Sequence, residues 1–377
     1  MHTRTTKLLL VALALAPLAC GSAPKADTAT PEPTAAAPAP APTPAPPPAK
    51  PIPDGFRAIT PQLTVKGVDA AVEFYTRALG AQKVFTLPGP DGKSLHAEIK
   101  VGDSILMLDE ENVAQGMKSP QTLGGTPATL MVFVPDADAA VATLTAAGAK
   151  VTMPLDDMFW GDRYGEVVDP FGHSWAVATH LEDLTPEQMS ERARLANQPP
   201  PKGKKPKKGA PPAWKKIAGT PAAEKTPKEY HTVTPALTVA DAAAAIEFYK
   251  AAFGATEKSR MPAADGKRIM HAELIVGDST LMLADAFPEW GGKSPRDLGG
   301  SPVAIHLYVP DVDAAFARAQ SAGAKPEMPV ADQFWGDRYG TVVDPTGFTW
   351  GVATHTEDVT PEQMNERMKK QYAKPSA

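Results

Sequence analysis

Apolar and polar residues follow two periods along this chain, a period of two in short segments and a helical period between them. Gln62–Val65 alternates like a strand with one buried face, and Val68–Leu79 places its apolar residues on one helical face. Gly80 is a typical helix end, and Asp136 is a good N-cap for a second helix that stops at Gly148. Further short runs predict strands at Val84–Leu87, Leu95–Val101, Ile105–Leu108, Thr129–Val134 and Ser174–Thr179. The predicted order is βαβββ, occurring twice.

The whole pattern then returns, because the chain contains an internal duplication. The segment that begins at Phe159 and reads Phe-Trp-Gly-Asp-Arg-Tyr-Gly is repeated from Phe334, and His96-Ala-Glu is repeated from His271. A repeat of this length indicates a duplicated domain and not a solenoid. We therefore predict α+β domains at residues 56–184 and 230–358.

Proline and lysine mark the segments outside these domains. Twenty of the 41 prolines lie in Ala23–Pro53 and Pro199–Pro227, which predicts a disordered tether at 21–55 and a linker within 185–229. The linker opens with Thr185-Pro-Glu-Gln, a capping-box pattern for a helix, and the same pattern predicts a helix and tail at 359–377. Residues 198–229 contain nine Lys and two Glu. A nucleic-acid-binding protein carries such charge on a folded face, so we expect no nucleic-acid partner.

The N-terminus has the form of a secretory signal. Arg4 and Lys7 precede the apolar run Leu8–Ala19, which is too short to cross a bilayer and ends at Cys20. Residues 1–20 resemble a bacterial lipoprotein signal, in which the cysteine is lipidated. The resemblance implies export and a lipid anchor in the cell envelope, with the outer membrane or periplasm favoured over the cytoplasm. An ordinary cleaved signal peptide remains the alternative.

Three features together resemble a known superfamily. They are the paired βαβββ pattern, the helix containing Glu73-Phe-Tyr (Glu247-Phe-Tyr in the second copy), and Asp-Pro-x-Gly at Asp169 and Asp344 before the last strand. The combination is similar to the vicinal oxygen chelate superfamily of glyoxalase I, extradiol dioxygenases, fosfomycin-resistance enzymes and bleomycin-binding proteins. The resemblance implies two tandem glyoxalase-like domains, each of paired βαβββ modules that curl into a cup.

Catalytic members of this superfamily usually hold a divalent ion with four strand residues. The resemblance places these positions on residues without imidazole or carboxylate groups, namely Thr60, Met107, Thr129 and Ala176 in copy one and Thr234, Met282, Ala304 and Gly351 in copy two. We therefore favour no metal cofactor. The alternative is a Zn, Ni, Mn or Fe ion at a displaced site, whose candidate ligands face the cups by strand alternation: His96, Glu98, His180, His271, Glu273, His306 and His355. We favour the other interpretation, in which these side chains form a polar lining and hydrogen-bond to one another.

The repeated Phe-Trp-Gly-Asp-Arg-Tyr-Gly segment supplies the candidate ligand-binding residues. Arg163 and Arg338 could clamp a carboxylate or phosphate, and aromatic residues could form stacking walls. The aromatic candidates are Trp160, Tyr164, Trp335, Tyr339 and, on a neighbouring strand, Tyr308. The interpretation that we favour for this segment is structural: the arginines form ion pairs within their own loops and the aromatic rings plug the rim of each cup.

These observations favour an exported protein that binds a small organic ligand in its cups without the usual metal. A metal-dependent enzyme of glyoxalase or dioxygenase type is the alternative, with a divalent ion polarising vicinal oxygens. A purely structural surface lipoprotein is the third. The partners expected are a small molecule, and a membrane through the lipid anchor on Cys20. The two domains could also pair within the chain, in place of the homodimer usual in the family.

Overall fold

The computed structural model describes residues 49–89, 91–196, 198 and 212–372. The predicted signal, lipidation site and most of the tether therefore lie outside the described residues. The described residues form one compact unit that contains both copies of the repeat. Within the described ranges, no helix is both long enough and apolar enough to span a membrane.

Copy one consists of two βαβββ modules, as the hydrophobic pattern predicts. Module 1 contains β1 (Ile59–Val65), α1 (Val68–Leu79), β2 (Gln82–Pro88), β3 (Ser94–Val101) and β4 (Ser104–Glu110). A short helix, α2 (Pro120–Leu123), leads to module 2. Module 2 contains β5 (Ala128–Phe133), α3 (Ala137–Ala146), β6 (Lys150–Asp157), β7 (Asp162–Val168) and β8 (Ser174–His180). The Asp136 side chain accepts from the Ala139 N–H, so the predicted N-cap is confirmed.

The segment between the copies has structure of its own. It contains β9 (Glu182–Asp183), α4 (Pro186–Ala196) and β10 (Thr220–Pro221), and β9 pairs with β10. The capping box at the start of α4 is present, because Thr185 N donates to Gln188 Oε1 at 2.8 Å and Gln188 N donates to Thr185 Oγ1 at 3.2 Å.

Copy two repeats the same two modules. Module 3 contains β11 (Val233–Val239), α5 (Ala242–Phe253), β12 (Thr256–Pro262), β13 (Ile269–Val276) and β14 (Ser279–Asp285). Helix α6 (Pro295–Leu298) leads to module 4. Module 4 contains β15 (Val303–Tyr308), α7 (Val312–Ser321), β16 (Lys325–Asp332), β17 (Asp337–Val343) and β18 (Thr349–His355), and α8 (Pro361–Tyr372) follows it.

The sheets combine modules from different copies. Sheet I has the strand order β16-β17-β18-β15-β1-β4-β3-β2, from modules 4 and 1. Sheet II has the order β12-β13-β14-β11-β5-β8-β7-β6, from modules 3 and 2. Both sheets curl without closing, and we call their polar concave faces cup I and cup II. The α+β class and the glyoxalase-like architecture are confirmed, and each cup draws residues from both copies of the repeat.

Reciprocal turns hold the two copies together. Asp103, in the β3–β4 turn, accepts from Thr232 N at 2.7 Å, and Asp278, in the β13–β14 turn, accepts from Ala58 N at 2.8 Å. Each turn therefore satisfies the backbone just before the first strand of the other copy. A Cβ added to Gly277 would lie 2.6 Å from Ala58 Cβ, so glycine is needed for this close approach.

Within each copy the helices pack together, α1 with α3 and α5 with α7. They cover the apolar faces of the strands, where Ala97 and Ile99 of β3 are fully buried while His96 and Glu98 face the cup. Trp175 and Trp350 are fully buried and belong to this core. Leu95 is an exception, since it is 46% exposed at the beginning of β3.

Candidate functional site

Cup I contains a chain of hydrogen bonds across three neighbouring strands. His96 Nδ1 lies 2.7 Å from Asp109 Oδ1, and the Gln62 side-chain amide donates to the other oxygen of Asp109. His96 Nε2 lies 3.9 Å from the Glu98 carboxylate. Burial by itself lowers the pKa of His96, but the charges and hydrogen bonds of Asp109 and Glu98 together raise this pKa to about 10. The His96 imidazole is therefore a cation at neutral pH.

A second histidine on the same face of sheet I is neutral. His306 on β15 lies opposite Thr60 on β1, and its ring stacks on Tyr339 with centroids 5.4 Å apart and planes 13° apart. Burial lowers the pKa of His306 to about 3, and the charge of His96 acts in the same direction. Its Nε2 is buried and has no hydrogen-bond partner within the part of the chain that the structure describes.

A buried acid organises the end of cup I where β17 begins. Asp337 accepts from Tyr308 OH at 3.0 Å and from Trp335 Nε1 at 3.1 Å, and its other oxygen lies 2.7 Å from His355 Nδ1. His355 Nε2 is 3.0 Å from Asp358 Oδ1. Both nitrogens of this imidazole are hydrogen bonded, so neither is available to a metal ion without breaking the network.

The superfamily's metal positions in cup I do not fit a divalent ion. They hold Thr60, Met107, Ala304 and Gly351, and none of these supplies an imidazole or carboxylate. The space beside Gly351 is also filled, because a Cβ there would lie 2.6 Å from Tyr339 Oη. Among the described residues, no group of three His, Cys, Asp or Glu side chains is arranged to hold a metal ion.

Cup II has the same outline with different hydrogen bonding. Glu273 accepts from Tyr230 OH at 2.6 Å, lies 3.1 Å from Lys258 Nζ and 3.3 Å from His271 Nε2. Burial raises the pKa of Glu273, but the His271 and Tyr230 hydrogen bonds and the Lys258 charge outweigh it and lower the pKa to about 2. Tyr164 OH donates to Glu166 at 2.6 Å. These bonds leave Glu273 and Tyr164 with partners inside the protein.

The remaining cup II candidates form a network like that of Asp337. His180 Nδ1 lies 2.7 Å from Asp162 Oδ1 and its Nε2 lies 3.1 Å from Asp183 Oδ1, while Trp160 Nε1 donates to Asp162 at 3.1 Å. The hydrogen bond to Asp162 raises the pKa of His180. His180 and His355 therefore occupy equivalent positions, in cups II and I respectively.

The two candidate arginines lie outside the cups. Arg163 pairs with Asp138 on α3, through Nη2 at 2.7 Å and through Nε, and with Asp157 at 3.2 Å. Arg338 pairs in the same way with Asp313 on α7 and with Asp332. Alternation along β7 and β17 puts these guanidinium groups on the helix face of each sheet, opposite Tyr164 and Tyr339. Both arginines therefore form ion pairs with carboxylates of the protein itself.

The structure thus regroups the candidates that the sequence suggests. Cup I brings together His96 and Glu98 of copy one with His306, Tyr308, Trp335, Tyr339 and His355 of copy two. Cup II brings together Trp160, Tyr164 and His180 of copy one with His271 and Glu273 of copy two. Gln62, Asp109 and Tyr230 were not predicted as site residues. Strand alternation could have identified Gln62 and Asp109, whereas no sequence signal places Tyr230 in a cup.

Comparisons with known proteins agree with this architecture. Glyoxalase I from Zea mays has a crystal structure that matches with a TM-score of 0.53 at 14% identity, covering 84% of this chain and 97% of that chain. At that identity the match concerns the fold alone. An uncharacterized protein of Mycobacterium tuberculosis (strain ATCC 25618 / H37Rv) is 47% identical over 142 residues, which is 37% of this chain and 83% of that protein. An uncharacterized protein of Arabidopsis thaliana is 34% identical over 125 residues, or 31% of this chain and 74% of that protein.

A family model covers both copies of the repeat. The model of the Glyoxalase/Bleomycin resistance protein/Dioxygenase superfamily matches residues 33–177 and 231–352. These two ranges make up more than half of the 377 residues and leave out the linker between the copies. The chain therefore belongs to the Glyoxalase/Bleomycin resistance protein/Dioxygenase superfamily.

Proposed function

We propose that this protein binds a small organic ligand in a cup and does so without the metal ion usual in its superfamily. The observation that carries the proposal is the replacement of the metal-binding side chains. Thr60, Met107, Ala304 and Gly351 stand at those positions in cup I, and the Tyr339 phenol fills the space beside Gly351. The fold therefore retains the cup, and the Tyr339 ring lies at the floor of cup I.

Aromatic walls in both cups support a planar ligand. Trp335 lies edge-on to Tyr339 with ring centroids 5.7 Å apart, and Trp160 lies edge-on to Tyr164 at 5.5 Å. Rings fixed in this way present large apolar faces at little entropic cost, which suits stacking against a flat molecule.

Isothermal titration calorimetry against a panel of aromatic acids, aromatic amides and planar antibiotics tests this proposal. We expect saturable binding by at least one compound in buffer containing EDTA. A panel in which nothing binds, together with a crystal structure showing both cups filled by side chains, would overturn it.

A metal-dependent enzyme of glyoxalase or dioxygenase type is the second candidate. It is favoured by one observation, that His96, Glu98 and His306 share the same face of sheet I. Elemental analysis of protein purified without chelators separates the candidates. Stoichiometric Ni, Zn, Mn or Fe that is lost in His306→Ala but retained in His271→Ala supports the enzyme. Metal-free protein that still binds a ligand supports the first proposal.

We also propose that the protein is exported and anchored to a membrane through lipid on Cys20. The proposal is supported by the short apolar run Leu8–Ala19, which ends at this cysteine and follows Arg4 and Lys7. Metabolic labelling with radioactive palmitate, followed by cell fractionation, tests it. We expect label and membrane association in the wild type and loss of both in Cys20→Ala. Unlabelled protein in the cytoplasm would contradict the proposal.

A further inference from the structure

We infer that the two cups have diverged and that cup I alone binds the ligand, a neutral ring compound with both a hydrogen-bond acceptor and a hydrogen-bond donor; this rests on the proposed function. The duplication provides an internal comparison, because each cup position has an equivalent in the other cup. At three positions of the described structure, cup I leaves hydrogen-bonding capacity open where cup II uses it or replaces the group.

The first position is a glutamate, which is Glu98 on β3 in cup I and Glu273 on β13 in cup II. In cup II, Glu273 is bonded by Tyr230 at 2.6 Å and by Lys258 at 3.1 Å. In cup I the repeat places Phe56 and Val84 at the positions of Tyr230 and Lys258, and neither side chain can donate. The nearest cation to Glu98 is His96, at 3.9 Å. Glu98 therefore keeps acceptor capacity for a ligand.

The second position is the tyrosine of the repeated aromatic segment. Tyr164 in cup II donates its hydroxyl to Glu166 at 2.6 Å. In cup I, Thr341 stands where Glu166 stands in cup II, and the Tyr339 hydroxyl has no hydrogen-bond partner among the described residues. This phenol is free to donate to an acceptor atom of a ligand.

The third position lies on the first strand of the second module of each copy, which is β15 in cup I and β5 in cup II. Cup I has His306, which is only 5% exposed and whose Nε2 has no partner among the described residues, and cup II has Met131. An unpaired buried nitrogen is a cost to the folded state. Because Met131 shows that the fold accommodates an apolar side chain at this position, His306 is best explained by a partner that the protein itself does not provide.

The linker adds a hydrogen bond that only cup II receives. Tyr230, at the end of the linker, packs on Phe133 with ring centroids 5.4 Å apart in addition to its bond with Glu273. In cup I the equivalent of Tyr230 is Phe56, which contacts Tyr308 through ring packing alone. A hydroxyl group of the protein itself therefore takes acceptor capacity of Glu273 that Phe56 leaves open on Glu98.

The charges in cup I favour a neutral ligand. Asp109 faces His96, and Asp337 faces His355, so these charges are opposed within the protein. Glu98 and Lys100 carry opposite charges two residues apart on the same face of β3. An anion would have to compete with Glu98, whereas a neutral amide can accept from Tyr339 and donate to Glu98. The stacked rings of His306 and Tyr339 provide the flat wall.

Methionine methyl groups allow each cup to be observed separately. Met107 lies opposite Glu98 in cup I, and Met282 lies opposite Glu273 in cup II. The full chain, labelled with [methyl-13C]methionine, is titrated with benzamide and, separately, with benzoate, and Met107→Leu and Met282→Leu assign the two signals. We expect benzamide to shift the Met107 methyl and saturate at one equivalent while the Met282 methyl stays in place. Benzoate should bind about tenfold more weakly.

Matched variants in the two cups complete the test. Tyr339→Phe should weaken benzamide binding about tenfold, while Tyr164→Phe should leave it within about twofold. Thermal unfolding checks that both variants fold, and the methyl titration of the wild type stands independently of them.

Three outcomes would overturn the inference. Parallel shifts of both methyl groups, or binding that depends on Tyr164 and not on Tyr339, would show that the cups have not diverged, and ligand binding in a cup would still stand. Benzamide that moves neither methyl group would overturn the ligand class. If the wider calorimetric panel then yields a binder, the proposed function survives, and if it yields none, both proposals fail.

Discussion

The Tyr339 hydroxyl occupies the space into which a side chain on Gly351 would point. A Cβ at Gly351 would lie 2.6 Å from Tyr339 Oη and 2.7 Å from Cε2, closer than real atoms approach. In copy one the equivalent position is Ala176, beside Glu166 on β7. The last-strand carboxylate of metal-binding relatives thus has no room in cup I.

Gly351→Ala is expected to lower the free energy of unfolding by about 1–3 kcal/mol, since the added methyl group overpacks against Tyr339. Urea denaturation measures the change. In a Tyr339→Leu background, the same substitution should cost clearly less, and the double-mutant cycle gives the coupling between the two positions. Equal costs in both backgrounds would show that Tyr339 is not the obstacle.

His306→Met is expected to stabilise the protein. The substitution removes a buried imidazole nitrogen that has no hydrogen-bond partner among the described residues, and it introduces the residue type that copy one has at the equivalent position, Met131. We expect a gain of about 1 kcal/mol at pH 7. The gain should grow as the pH falls from 6.5 towards 3, because burial holds the pKa of His306 at about 3 and protonation favours the unfolded chain. Urea denaturation at pH 7 and pH 5 measures both effects, and Met131→His should be destabilising.

The ion pair between His96 and Asp109 should make stability depend on alkaline pH. The pKa of His96 is raised to about 10, against an ordinary value of about 6.5, so its stabilising contribution is fully present below pH 6.5 and is lost as the pH rises to about 10. The difference in unfolding free energy between the wild type and His96→Gln should therefore shrink over this range. A constant difference between pH 6.5 and pH 10 would contradict the assignment.

Arg192 and Arg367 occupy equivalent positions after the two copies, but replacing them should lower the free energy of unfolding by different amounts. Arg192 is 1% exposed, donates to the Ile217 carbonyl at 2.7 Å, and lies over the Trp214 ring at 5.4 Å. Arg367 pairs with Glu357 at an exposed site. Arg192→Ala should cost about 1–3 kcal/mol and Arg367→Ala less than about 1 kcal/mol. Thermal unfolding measures both, and limited proteolysis should show faster cleavage of the linker in Arg192→Ala only.

Local sequence signals were reliable for the secondary structure. Periodicity predicted the strand–helix order of both copies, and the Asp136 cap and the Thr185–Gln188 capping box are both present. These features depend on residues within a few positions of each other, so the sequence contains all the relevant information. Leu95, which the alternation places with the buried residues, is exposed because it lies at the very beginning of its strand.

The candidate site was predicted only in part. Alternation correctly turns His96, Glu98, His271 and Glu273 away from the helices. It does not show that Tyr230 donates to Glu273 while Phe56 gives Glu98 no hydrogen bond, because both arrangements depend on how the segment before each copy crosses the sheet. Asp138 and Asp157, which pair with Arg163, are likewise brought together by packing between separate elements.

The sequence by itself determined the duplicated βαβββ modules, because hydrophobic period and turn residues act over short distances. Only the tertiary structure decided that modules 1 and 4 share one sheet and modules 2 and 3 share the other. Alternation assigns each residue to a face of its strand but does not specify which other strand completes its backbone hydrogen bonds. That choice depends on long-range contacts such as Asp103 with Thr232, and it decides which histidines, acids and aromatic rings meet in each cup.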